Sequence, residues 1–216
     1  GDDEIRTGLL YRGDRVRTIV EPERLISGPF ASAGRPPLAQ NFSRVDGETT
    51  VRVIVPHLKS KSCRGARGDN RDQADGQGCY ASRRTDEAQA LAEWTGIDSE
   101  GLDSAGTLII GDLNSYAREH PITMLARAGF VSMVHHFHPC TETSCRQYTY
   151  RYRGEKGSLD YALASETMKP RVVGARTWLV NADEPRVFGY QSDYEVDDQG
   201  PWRSSDHNPV IVDLEL

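Results

Sequence analysis

A chain of 216 residues is long enough for one domain with a core of its own, and no composition break or low-complexity linker divides residues 1–216 in two. Hydrophobic residues make up 37% and charged residues 27%, with no apolar run near the roughly 20 residues that a membrane-spanning helix needs. The net charge of −6 excludes nucleic-acid binding by bulk electrostatic attraction, which requires basic surface, but leaves room for an enzyme that must release its product.

From the N-terminus, IRTGLLYR (5–12) and VRTIV (16–20) read as two strands joined by a hairpin turn at Gly13-Asp14. RPPLAQNF (35–42) and TTVRVIVPHL (49–58) follow as two more. Between Cys63 and Cys79 lies a loop with no large hydrophobic residue to pin it, and a shorter polar loop lies between Cys140 and Cys145. Four cysteines bracketing two loops predict two disulfides and an oxidising compartment, secreted or periplasmic. Ala88, Leu91, Ala92 and Thr95 recur at helical spacing and predict an amphipathic helix over 82–96 that ends on Gly96. GTLIIGDLN (106–114) is an apolar strand, and 119–129 a helix with Pro121 in its first turn and Gly129 after its last. QYTYRYR (147–153), SLDYALAS (158–165), RVVGARTWLV (171–180) and NPVIVDLEL (208–216) complete the strands. Strands outnumber helices and the helices fall between them, which predicts an α/β fold of two packed sheets with outer helices.

Chemistry concentrates where these strands end. PHLKSK carries His57, GDLNSY carries Asp112 and Asn114, KGSLDYALAS carries Asp160, and SSDHNP carries Asp206 and His207 just before the last strand. Each alone has an ordinary explanation: a strand-capping Asp, a satisfied His, a turn after a strand. Asp160 is the least ordinary, since a carboxylate among Leu159, Tyr161 and Leu163 is costly unless a partner neutralises it. Phosphodiester cleavage asks for a metal to neutralise developing charge, a group to aim the attacking water and a donor for the leaving or non-bridging oxygen. The four motifs hold candidates for all three. Asp112 would orient or deprotonate water, and Asn114, two residues on, would bond a phosphate oxygen.

These four motifs in this order resemble the endonuclease/exonuclease/phosphatase superfamily, and WLVNADEPRVFGY with PWRSSDHNPV is most similar to the large extracellular nucleases of bacteria. The resemblance runs from Thr7 to Leu216 and implies a four-layer α/β sandwich, two packed mixed sheets flanked by helices. It further implies that His57 contacts the scissile phosphate, that Asp160 fixes the tautomer of His207, that Asp206 reaches the metal and that Arg35 contacts phosphate. The resemblance implies a divalent cation as cofactor, Mg2+ with Mn2+ or Ca2+ as alternatives, and nucleic acid, DNA or RNA, as partner, with no membrane. Two departures accompany the matches. Pro56 stands where close relatives carry Asn, and the family's first two strands, with a principal metal glutamate, precede the segment that here begins at Thr7. The chain is therefore expected to be an N-terminally incomplete domain that binds metal poorly alone and needs that N-terminal segment as its partner. Asp2, Asp3 and Glu4 are the remaining carboxylates that could substitute.

Phosphatases and sphingomyelinase-type phosphodiesterases share these motifs, and an inactive binding module would follow from the missing glutamate. The polar loops 62–79 and 195–204 favour a soluble polymer over a lipid surface. A rival zinc site would use His135, His136 and His138 with Cys140 and Cys145. Adjacent histidines point oppositely in a strand, and a hairpin disulfide with surface histidines accounts for the same residues.

Overall fold

The computed structural model describes residues 5–31, 34–95, 104–189 and 202–216. Asp2, Asp3 and Glu4, and the helix-ending Gly96, lie outside them. Seven strands form the main sheet: β1 (Val16–Thr18), β2 (Glu23–Arg24), β3 (Leu38–Arg44), β4 (Thr50–Val55), β5 (Ser104–Asp112), β6 (Val131–Ser132) and β9 (Asp160–Ala164). Their order is β1-β3-β4-β5-β9-β6, with β2 also on β3. β7 (Tyr150–Tyr152) and β8 (Glu155–Gly157) make a separate hairpin, and β10 (Val172–Thr177) pairs with β11 (Val210–Leu214) as a two-stranded ribbon.

Among the described residues every strand pairing is antiparallel except β4 with β5. Parallel neighbours need a crossover, and α1 (Ala81–Thr95) supplies it. Side chains alternate across the sheet. Ile54, Ile109 and Leu163 face α1 and α2 (His120–Arg127), packing on Leu91, Trp94 and Leu125. Val51, Leu108, Ala162 and Ala164 face the opposite way, toward α3 (Met133–Phe137) and the ribbon. The result is a helix layer, a large sheet and a second sheet, as the α/β sandwich requires.

Three details differ from the sequence reading. Residues 5–12 form no strand: Leu10 is fully exposed, Tyr11 lies edge-on to Phe42, and no described strand pairs with the segment. The Gly13-Asp14 turn is present, but the strand after it pairs with β3. In α1 the inward residues are Arg84, Glu87, Ala88, Leu91 and Trp94, a face rotated toward charged positions that hydrophobic periodicity does not mark. His135 and His136 lie on the short helix α3, not on a strand.

Both expected disulfides are present, Cys63–Cys79 with Cα atoms 5.0 Å apart and Cys140–Cys145 at 4.5 Å. The second removes both sulfurs from the rival zinc site. Among the described residues no helix is long and apolar enough to cross a membrane.

Candidate active site

Strand register brings the site together. β4 and β5 run parallel, so their C-terminal ends lie side by side, and His57 forms a parallel bridge with Asp112 just past β4. β9 runs antiparallel to β5 and pairs Asp160 directly with Asp112. Alternation puts His57, Asp112 and Asp160 on the face where the ribbon packs. His207, leading into β11, meets them there, and its Nδ1–H donates to Asp160 Oδ2 at 2.7 Å. His57 Nε2 stands 3.3 Å from Asp112 Oδ2.

Local chemistry fixes each group. A side chain at Gly111 would collide with the Pro56 carbonyl, so the close approach of the two strands depends on glycine there. Asp112 Oδ1 accepts the Asn114 N–H at 2.7 Å, an Asx turn that places Asn114 at φ 46°, a left-handed conformation Asn tolerates. The Asn114 amide donates to Leu58 O and to Asp112 Oδ2, both at 3.1 Å. Its two N–H groups are thus engaged in holding Asp112 and the His57 segment, and a phosphate oxygen would have to displace one of them. On the other side, the Thr149 hydroxyl accepts the N–H groups of Leu159 and Asp160 at 3.0 and 3.1 Å, while Asn208 N–H donates to Thr149 O at 2.7 Å.

Like charges directly across a strand pair repel. Burial first, and the facing Asp160 charge second, push the Asp112 carboxyl up to about 7, against the pull of His207, the Asn114 N–H and Arg35. Burial draws His207 down, but the hydrogen bond to Asp160 and the charges of Asp160, Asp112 and Asp206 outweigh it and hold the imidazole at about 9. Near neutrality one group is ready to take a proton and the other to give one.

Asp112, Asp160 and His207 each offer a ligand atom within 4.8 Å of the others. Two facing carboxylates, one held partly protonated by burial and by its neighbour's charge, are relieved by a cation, and their hard oxygens suit a divalent one. Asp206, the expected metal ligand, is exposed and stands outside this trio, acting on His207 through its charge. Arg35 is half-buried and close enough to lower the Asp112 carboxyl.

Arg84 is a part of the site that the sequence does not advertise. Fully buried, it donates to Gln77 O and Cys79 O at 2.7 Å and to Ser115 Oγ at 3.2 Å, and lies 3.8 Å from Glu119. It therefore ties the disulfide loop to the loop after Asp112. Glu119 also pairs with Lys61, and Glu87 Oε2 accepts Lys59 N–H at 2.8 Å. One arginine in SRRTDEAQA looks like any surface charge, and only the carbonyls converging on it reveal its place.

The Endonuclease/Exonuclease/phosphatase family model matches residues 13–207. No curated protein sequence matches the chain. Among solved structures, the mannosyl-6-phosphatase of Bacteroides thetaiotaomicron VPI-5482 superposes with TM-score 0.59 and 12% identity, over 95% of this chain and 69% of that one. The human Nocturnin catalytic domain with bound sulfate gives 0.52 and 16%, over 76% of this chain and 52% of that one. D. rerio TDP2 complexed with a single-strand DNA product gives 0.51 and 15%, over 77% and 61%. At these identities the likeness is one of fold.

Proposed function

The chain belongs to the endonuclease/exonuclease/phosphatase family, and from that membership we propose a divalent-metal-dependent phosphodiesterase, an extracellular endonuclease acting on DNA, with RNA as a second polymer it could cut. The observation that carries this reading is the His207–Asp160 pair at 2.7 Å set against a buried Asp112 raised to about 7. Asp112 takes a proton from the attacking water as the oxygen adds to phosphorus. As the P–O bond to the leaving group breaks, His207 supplies the proton that the departing oxygen needs, and Asp160 keeps the imidazole charged and aimed. His57 and Arg35 would contact the phosphate, and Asn114 keeps Asp112 in place. When bound, a Mg2+, Mn2+ or Ca2+ ion would neutralise charge developing on the phosphate, with Asp206 the proposed carboxylate and Asp112 and Asp160 offering further hard oxygens.

The TDP2 structure holds single-strand DNA product, which supports a polynucleotide. The mannosyl-6-phosphatase supports a phosphomonoester as the second reading. Two disulfides support a secreted or periplasmic location. The chain spans 69% or less of the three structures named, so the activity is proposed for the whole protein.

Circular DNA, linear DNA, RNA and a sugar phosphate, each incubated with the full-length protein with and without chelator, test the reading. Nicking of circular DNA that chelator abolishes is expected. Release of phosphate from the sugar phosphate with every polynucleotide left intact would overturn it in favour of the phosphatase.

A further inference from the structure

Beside His207 stands a row of tyrosines that the proposed chemistry does not use. β7 and β8 are joined by Arg153 and Gly154, both at positive φ (50° and 90°), the two-residue loop that matches strand twist and makes a stiff hairpin. Alternation separates its faces. On one, Arg151 reaches Asp183 at 3.1 Å and Lys156 covers Tyr148 at 4.4 Å, fastening the hairpin to the body of the domain. On the other lie Tyr150 and Tyr152, two residues apart.

Tyr116 joins them from the loop after Asp112. Gly157 pairs with Tyr150 across the hairpin, and a Cβ there would stand 2.5 Å from Tyr116 Cε1, so the Tyr116 ring occupies the space a side chain would fill. The three phenols are near enough that, after burial, the other two contribute to raising Tyr116. At one end of the row the Tyr150 ring lies 4.8 Å from the His207 ring. At the other Tyr152 is 53% exposed. Cations flank it: Lys61 Nζ is 5.2 Å from the Tyr116 ring and the Arg153 guanidinium 5.3 Å from the Tyr152 ring.

We propose that the face formed by Tyr116, Tyr150 and Tyr152 is a stacking platform that receives nucleobases of a single-stranded or locally unpaired nucleic acid and leads its backbone to His207. The assignment rests on the phosphodiesterase reading and narrows its substrate. Tyr152 is exposed and Tyr116 and Tyr150 are half-buried, so ring surface is open to stack on any base, whereas bases paired in a duplex are already stacked and cannot reach a platform of this kind. Arg153 supplies charge for the phosphates between bases, while Lys61, paired with Glu119, is held beside the Tyr116 ring. A protein of net charge −6 has little counterion release to draw on, so stacking supplies the affinity that a basic groove gives elsewhere.

Binding measured in chelator, where no strand is cut, tests this with a short oligonucleotide carrying 2-aminopurine, its duplex, and an abasic strand of equal phosphate count. The wild-type protein should quench the 2-aminopurine fluorescence and bind the single strand on the order of 10-fold more tightly than the abasic strand. Tyr152→Ala, at an exposed position where folding is not at stake, should remove most of that preference. Equal affinity of the wild type for the base-bearing and abasic strands would overturn the platform, as would a preference unchanged in both Tyr152→Ala and Tyr116→Ala. Equal affinity together with metal-dependent cleavage of the abasic strand sinks the platform alone. Base-dependent binding with no cleavage of either strand sinks the catalytic reading alone.

Discussion

The two walls of the site are built differently. The sheet wall, with His57, Asp112 and Asn114, is fastened by main chain: Leu58 N–H donates to Asp112 O at 3.0 Å, Leu113 N–H to Leu159 O at 2.8 Å, and the buried Arg84 clamps the disulfide loop against Ser115. The ribbon wall carries His207 just before β11, and His207 is held to the rest of the site by an isolated bridge to Tyr150 of the hairpin and one side-chain ion pair. Register sets the first wall whatever the protonation state. The second is set by charge and so answers to pH. Damage to the first wall should therefore appear as lost stability, and damage to the second as lost turnover.

The largest effect is expected at Arg84. Arg84→Met strands the buried Gln77 and Cys79 carbonyls and leaves Glu119 with Lys61 as its one remaining cation among the described residues, which should cost about 3–5 kcal/mol by urea unfolding. Wild-type stability in that variant would break the contrast. Replacing Cys63 and Cys79 together by Ser reopens a loop with a sequence separation of 16 and should cost roughly 3 kcal/mol. On the other wall, His207→Ala should lower turnover by at least ~100-fold while cooperative unfolding persists. A near-native rate would remove His207 from the chemistry.

The pH dependence sharpens the same contrast. The folded state holds His207 at about 9, above its ordinary 6.5, so its pairing with Asp160 adds stability in full below about pH 6.5 and loses it as pH rises through about 9. In chelator, the stability difference between wild type and His207→Ala should shrink across that window, and a constant difference would show the pair to be uncharged. The smallest effect belongs to Cys140 and Cys145, whose five-residue separation closes an exposed loop. Serine at both should cost at most about 2 kcal/mol and leave turnover unchanged, as rates on the preferred substrate would show.

How far the sequence carried the reading depends on where each residue's information lies. His57, Asp112, Asp160 and His207 sit in short local motifs, and strand alternation brings them to one face, so their meeting was readable in the sequence, whereas the exposed Asp206 stands outside the trio. Arg84 was not, because its role comes from carbonyls contributed by a loop closed elsewhere in the chain. Residues 5–12 have strand composition, yet strand formation needs a pairing edge that local sequence does not report. Tyr150 and Tyr152 read as alternation in an ordinary strand. Only the absent side chain at Gly157 and the Tyr116 ring filling its place show that their face is aromatic.

The cross-strand arrangement that unites the site also governs when it can exist. Asn114 meets Leu58 across 56 residues, and His207 meets Asp160 across 47. Contacts so distant along the chain must pay loop-closure entropy before they return anything, and they form slowly. A nascent chain that ends before SSDHNP carries the other three motifs but lacks the imidazole that pairs with Asp160. On the proposed mechanism the centre is complete only once β11 has docked against β10 and brought His207 to Asp160.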